Sequence, residues 1–147
     1  MANQQELDRV YLLMAKSLSQ LSKADRLQVG CLIVKDTHII AEGVNGMPRG
    51  LSNVCEYYDC VEQLYTKKEV IHAEMNALFK LARSTQSSIG ATAYCTNGPC
   101  FDCAKLIIQA GVRRVVYIET YRIEKGIEFL RSNNVIAECV TVPEIRT

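Results

Sequence analysis

Two short stretches, His72-Ala73-Glu74 and Pro99-Cys100-Phe101-Asp102-Cys103, limit the folds open to this sequence. They offer one imidazole nitrogen and two sulfurs, a donor set that suits a tetrahedral zinc and leaves its fourth position open. Glu74 adds a carboxylate that can carry protons without binding the metal. A fold for this chain has to bring both stretches to one place.

The pattern around each stretch says how. Glu74, Ala77, Leu78 and Leu81 recur at i, i+3, i+4 and i+7, which predicts a helix over about 70–83 with a carboxylate heading its apolar face. An unpaired charge is costly to bury there, so Glu74 is either solvated at a fraying end or used at a site. Residues 91–96 predict a central strand, ended by Asn97-Gly98-Pro99. Pro99 then stands near the first position of a helix running to 110, where its missing N–H costs nothing, and Gly111 stops that helix. Cys100 and Cys103 fall one turn apart at the helix N-terminus, whose free N–H groups and dipole favour thiolate. His72 and Glu74 project to different sides of their helix. One pocket can use both if it lies over the helix N-terminus.

Elsewhere, Leu7, Val10, Tyr11, Met14, Leu18 and Leu21 predict a first helix with these residues on its core face. Residues 29–34 and 39–44 read as strands joined through Lys35-Asp36-Thr37-His38, a hairpin with His38 solvated in the turn. Asn45-Gly46-Met47-Pro48-Arg49-Gly50 is rich in turn formers, and 51–69 carry little periodicity. A strand at 113–118, a helix at 123–131 and a strand at 135–140 alternate. Such alternation favours crossover connections and parallel strands covered by helices.

Composition sets the remaining bounds. With 147 residues, 48% of them apolar and 22% charged, the chain reads as one globular domain over 1–147. A net charge of +1 argues against a nucleic-acid polymer as partner. No apolar run approaches the roughly 18–20 residues that cross a bilayer. Glu6, Asp8 and Lys16 interrupt any secretory segment. Seven cysteines without an export signal point to a reducing compartment, the cytoplasm, and to ligand or core roles. A closed zinc with four protein ligands is the alternative to an open site, and Cys95 is its nearest spare thiol. Such a site has no use for Glu74. Core packing is the expectation for Cys31, Cys55, Cys60 and Cys139.

His-x-Glu followed by Pro-Cys-x-x-Cys is the signature of zinc-dependent nucleobase deaminases. Over about residues 7–138, nearly the whole domain, the chain resembles deoxycytidylate (dCMP) deaminases within the cytidine deaminase-like superfamily. Besides the zinc motifs, the matching stretches are Arg26-Leu27-Gln28-Val29-Gly30, the Gly43 to Gly50 loop, Tyr94-Cys95-Thr96-Asn97-Gly98 and the Tyr121 region. The resemblance implies a three-layer α/β/α fold around a five-stranded mixed sheet, and hydrolysis of dCMP to dUMP and ammonia. It implies one catalytic Zn2+ held by His72, Cys100 and Cys103, with Glu74 as proton shuttle. Arg26, Asn45, Ala73 and Tyr121 would bind substrate, Asn45 at the deoxyribose and Arg26 and Tyr121 at the 5′-phosphate. Taken as plain residues, Arg26 is a solvated charge beside Asp25 and Tyr121 a strand-end core residue.

The same resemblance implies a homo-oligomer, with a hexamer favoured, activated by dCTP with Mg2+ and inhibited by dTTP. Gly43, Asn45, Gly46 and Arg49 would form the effector site. The chain departs from relatives that carry a second, structural zinc, since Ala24 replaces a cysteine and no histidine lies between 39 and 71. No structural zinc is expected. Two other readings use the same residues: a superfamily deaminase acting on a free base, nucleoside or tRNA adenosine, and a non-catalytic zinc- or nucleotide-binding subunit. Retention of Glu74 argues against the second.

Overall fold

In the computed structural model, which describes residues 1–119 and 124–142, the chain runs α1 (Gln4–Ser19), β1 (Gly30–Lys35), β2 (His38–Val44), β3 (Glu56–Tyr58) and β4 (Leu64–Thr66). It continues with α2 (Ala73–Ala82), β5 (Thr92–Asn97), α3 (Phe101–Gln109), β6 (Arg114–Glu119), α4 (Lys125–Ser132) and β7 (Ile136–Cys139). Five strands form one mixed sheet in the order β2-β1-β5-β6-β7. β1 is antiparallel to both neighbours, and β5, β6 and β7 run parallel. The connections explain the mixture. β1 and β2 are joined by a two-residue turn with Asp36 at φ 50° and Thr37 at φ 64°, whose left-handed backbones match strand twist. Helical crossovers through α3 and α4 return the chain for parallel pairing. His38, expected in the turn, is the first residue of β2 and pairs with Lys35, because the turn is complete at Thr37.

Alternation along each strand sorts side chains into two layers. On one face Cys31, Ile33, Ala93, Cys95 and Val115 meet Ala73, Ala77 and Leu81 of α2, Ala104 and Ile107 of α3, and Ile127 and Leu130 of α4. On the other face Leu32, Val34, Tyr94 and Val116 pack on Leu12 and Ala15 of α1. The expected three-layer arrangement follows from this sorting. The start of α2 is pressed against β2 at Gly43, where a Cβ would lie 2.5 Å from both Ala73 O and Ala77 N. Only a residue without a side chain permits that approach.

α1 opens with a capping box. Asn3 Oδ1 accepts the Glu6 N–H at 2.9 Å, and Glu6 Oε2 accepts the Asn3 N–H at 3.0 Å. Its buried face differs from the expected stripe. Asp8, Leu12, Ala15 and Ser19 are buried, whereas Val10, Met14 and Leu21 are exposed. A charge causes the rotation. Asp8 Oδ1 accepts from Arg114 Nη1 of β6 at 2.8 Å and from the Tyr94 hydroxyl at 2.7 Å. Burial alone would raise the Asp8 pKa, but hydrogen bonds from Arg114, Tyr94 and Gln4 hold it below its ordinary value.

The stretch without periodicity, 51–69, contains the antiparallel hairpin β3–β4, outside the main sheet. Tyr57 and Tyr65 pair across it with ring centroids 5.7 Å apart.

Candidate active site

Two helix N-termini converge here. His72 caps α2 and Cys100 caps α3, both in extended backbone (φ −70°, ψ 156° and φ −70°, ψ 172°). Pro99 therefore precedes the cap instead of entering the first turn. The Cys100 sulfur takes the capping role itself and accepts the Cys103 N–H at 3.5 Å. α4 holds this turn from behind. A Cβ on Gly126 would lie 2.0 Å from Pro99 O.

His72 Nδ1 lies 3.5 Å from Cys100 Sγ and 3.3 Å from Cys103 Sγ. The three donor atoms sit within 4.8 Å of one another. One nitrogen and two sulfurs around a common point fit zinc, and these three residues would hold it through Nδ1 and the two Sγ atoms. Cys95 does not join them. Its sulfur faces Cys31 across the β1–β5 ladder at 3.7 Å, inside the core. The Cys100 thiol is drawn down to about 4 by hydrogen bonding to Cys103 and then to His72. Cys103 is pushed up by the same bond and by burial.

Glu74 lies in the first turn of α2 and is only 5% exposed. Burial raises its pKa, which suits a carboxyl that must hold a proton for part of a cycle. A cleft of about 320 Å³ opens over the two helix starts, lined by His72, Glu74, Asn45, Arg26, Thr66 and Asn97 among others. Its volume is that of a small-molecule site.

The other expected substrate residues differ in how free they are. Arg26 lines the cleft, and its Nη1 lies 3.4 Å from Thr66 Oγ1. Ala73 is fully buried at the cleft floor. Asn45 also lines the cleft, but its amide is engaged with backbone: Oδ1 accepts the Val29 N–H at 2.9 Å and Nδ2 donates to Leu27 O at 2.8 Å. Asn45 thereby fastens the segment that carries Arg26. Tyr121 lies outside the described residues.

Of the residues expected at an effector site, Gly43, buried under α2, and Arg49, exposed, line a separate depression of about 450 Å³ together with Lys80 and Arg83. Asn45 lines the main cleft instead, and Gly46 bridges to Ile71.

Two residues escaped the sequence reading. Glu56, at the start of β3, is 7% exposed, and its Oε1 accepts the backbone N–H groups of Asp25 (2.9 Å) and Arg26 (3.3 Å). Nothing in the irregular pattern around it signals burial. Asn97 reads as a turn former but is the last residue of β5, paired with Glu119, 7% exposed and facing the cleft. The available signal was alternation, since Ala93, Cys95 and Asn97 share one face of the strand.

Comparison with known proteins agrees with this geometry. Residues 5–119 match the family described as cytidine and deoxycytidylate deaminase zinc-binding region. The deoxycytidylate deaminase of Enterobacteria phage T4 is 35% identical over 75% of this chain and 76% of its own length. That of Mycobacterium phage D29 is 35% identical over 75% of this chain and 92% of its own. The crystal structure of a dCMP deaminase from cyanophage S-TIM5, in complex with dCMP and dUMP, superposes with a TM-score of 0.87 at 40% identity, covering 95% of this chain and 100% of the other. With its His/Cys/Cys group and a buried glutamate over one cleft, the chain belongs to the cytidine and deoxycytidylate deaminase family.

Proposed function

We propose that this protein hydrolyses dCMP to dUMP and ammonia. The observation that carries the reading is the placement of buried Glu74 in the same cleft as the His72, Cys100 and Cys103 donors. Zinc on those donors would supply Lewis acidity, which lowers the pKa of water from 15.7 to about 7. Glu74 takes a proton from the attacking water and delivers it to the ring nitrogen N3. It then carries the second proton to the departing amino group. The balance is one water consumed and one ammonia released. General acid–base transfer of this kind contributes roughly 100- to 10,000-fold.

Arg26 reaches the mouth of the cleft, where a guanidinium suits a 5′-phosphate, and Asn45 borders the space between it and the reacting end. We assign these two the phosphate and the sugar, with Ala73 beneath the ring and Tyr121 as a second phosphate contact. Arg49, Lys80 and Arg83 around the second depression suit a nucleotide polyphosphate, which supports activation by dCTP with Mg2+ and inhibition by dTTP. Exposed Val10, Met14 and Phe79 suit burial between copies of the chain in a homo-oligomer, a hexamer in our reading. Among the described residues no helix is long and apolar enough to cross a membrane, and we place the reaction in the cytoplasm.

Turnover on dCMP, deoxycytidine, cytosine and an adenosine-bearing tRNA, compared side by side, tests the assignment. dCMP is expected to give the highest kcat/KM. A higher value on any other substrate replaces it.

A further inference from the structure

Asn97 is the one buried side chain among the described residues with a polar atom left unpartnered, at its Nδ2. A buried unpaired donor is uncommon and asks for a physical reason. The orientation of the amide follows from its neighbour. Thr96 Oγ1 accepts the Gly30 N–H at 3.1 Å, so its own proton is free to go to Asn97 Oδ1 at 3.4 Å. Nδ2 is then the atom left over, on a side chain 7% exposed that lines the cleft.

Its place along β5 says which end of the cleft it serves. Cys95, two residues earlier on the same strand face, lies in the core beneath α2 and α3. Cys100, three residues later, is a metal donor. Asn97 therefore stands at the reacting end, while Arg26 and Thr66 stand at the mouth. We infer that Asn97 is a substrate-contacting, specificity-determining residue whose Nδ2 donates a hydrogen bond to an acceptor on the nucleoside part of the bound pyrimidine nucleotide. This rests on the dCMP reading above. The ring carbonyl O2 is the acceptor of matching chemistry, because N3 is claimed by the proton from Glu74. A site built to donate to a carbonyl discriminates against ligands that lack one, since the donor is then buried without a partner.

The test uses zinc-loaded protein and two variants, Asn97→Leu and Asn97→Asp. Leucine removes the donor at similar volume, and aspartate replaces the donor with a second acceptor. Three quantities are measured: melting temperature with zinc content, kcat/KM on dCMP and on deoxycytidine, and the Kd of dUMP by calorimetry.

Asn97→Leu is expected to keep one zinc per chain and a melting temperature at or above the parent's, because it deletes an unpaired buried donor. It is expected to lose roughly 5- to 150-fold in kcat/KM by the same factor on both substrates, with dUMP binding weakened to match. Asn97→Asp is expected to lose at least as much. A variant equal to the parent overturns the inference, as does a loss confined to dCMP, which moves the contact to the phosphate. A loss that tracks lower zinc or melting temperature also overturns it. A parent that neither converts dCMP nor binds dUMP overturns the reading underneath, while an active parent with indifferent variants overturns the role of Asn97 alone.

Discussion

Glu56 Oε1 accepts the backbone N–H of Arg26 at 3.3 Å, with the N–H of Asp25 on the same oxygen at 2.9 Å. A buried carboxylate on an outlying hairpin thus fixes the segment that presents the guanidinium to the cleft. Removing it leaves two N–H groups without their partner, each costing about 1–3 kcal/mol where burial persists. Glu56→Ala is expected to raise KM for dCMP about tenfold while kcat stays within about threefold, since Glu74 and the metal donors are untouched. Glu56→Gln, which retains an acceptor oxygen, is expected to recover most of the affinity. Steady-state kinetics on both variants check this, and an equal fall in kcat for the pair contradicts a role confined to Arg26.

Gly43 offers a test of how tightly α2 must be held. A methyl group there collides with backbone at Ala73 and Ala77, neither of which can swing aside. Gly43→Ala is expected to cost about 1–3 kcal/mol in stability. It should also lower kcat by an order of magnitude or more, because a small shift of the helix that carries His72 and Glu74 disturbs the reacting geometry. Denaturant melts and kinetics on the same preparation measure both effects.

The Asp8–Arg114 pair governs stability at low pH. The Asp8 carboxyl is held below its ordinary value of 3.8 in the folded chain. A lowered folded-state pKa makes the contribution fully present above 3.8 and lost as pH falls through the folded value. Asp8→Asn is expected to destabilise the protein by about 3 kcal/mol near neutral pH, because it leaves Arg114, 15% exposed at its side chain, beside a neutral partner. The gap between parent and variant should narrow steadily below pH 3.8. Urea unfolding from pH 7 to pH 2.5 reads this, and a gap independent of pH contradicts it.

Metal removal separates the donors from the scaffold. A strong chelator is expected to abolish ammonia release, and zinc alone to restore it. Cys100→Ser or Cys103→Ser should lower the zinc content below one per chain, as measured by atomic absorption. Full zinc occupancy in either variant places the ion elsewhere.

Much of this architecture could be read from periodicity. The strands around 29–44 and the helices after His72 and Pro99 are signalled by apolar spacing and by Gly or Pro at their ends, and each lies within a few residues of its expected place. Where a polar residue faces inward, the reading slips. Asp8 turns α1 away from the stripe of Val10, Met14 and Leu21, because counting apolar positions cannot register a charge that has a buried partner on β6. Asn97 reads as a turn former because counting apolar positions does not register a polar side chain that faces inward at a strand end. The β3–β4 hairpin was illegible because its strands are short and Tyr57, Tyr58 and Tyr65 stay exposed, so no alternation marks a buried face. At the site, the His72, Cys100 and Cys103 group that fits a metal, and Glu74 beside it, are legible from local spacing. Arg26 is legible only through the family resemblance, and the tie from Glu56 to its backbone spans thirty residues, which no local pattern carries.

The most direct test of the mechanism is ammonia release from dCMP by the parent and by Glu74→Gln, each assayed with its zinc content. The account predicts one zinc per chain in both proteins and a fall of roughly 100- to 10,000-fold in kcat for the variant. A Glu74→Gln protein that holds zinc and releases ammonia at the parental rate would contradict it.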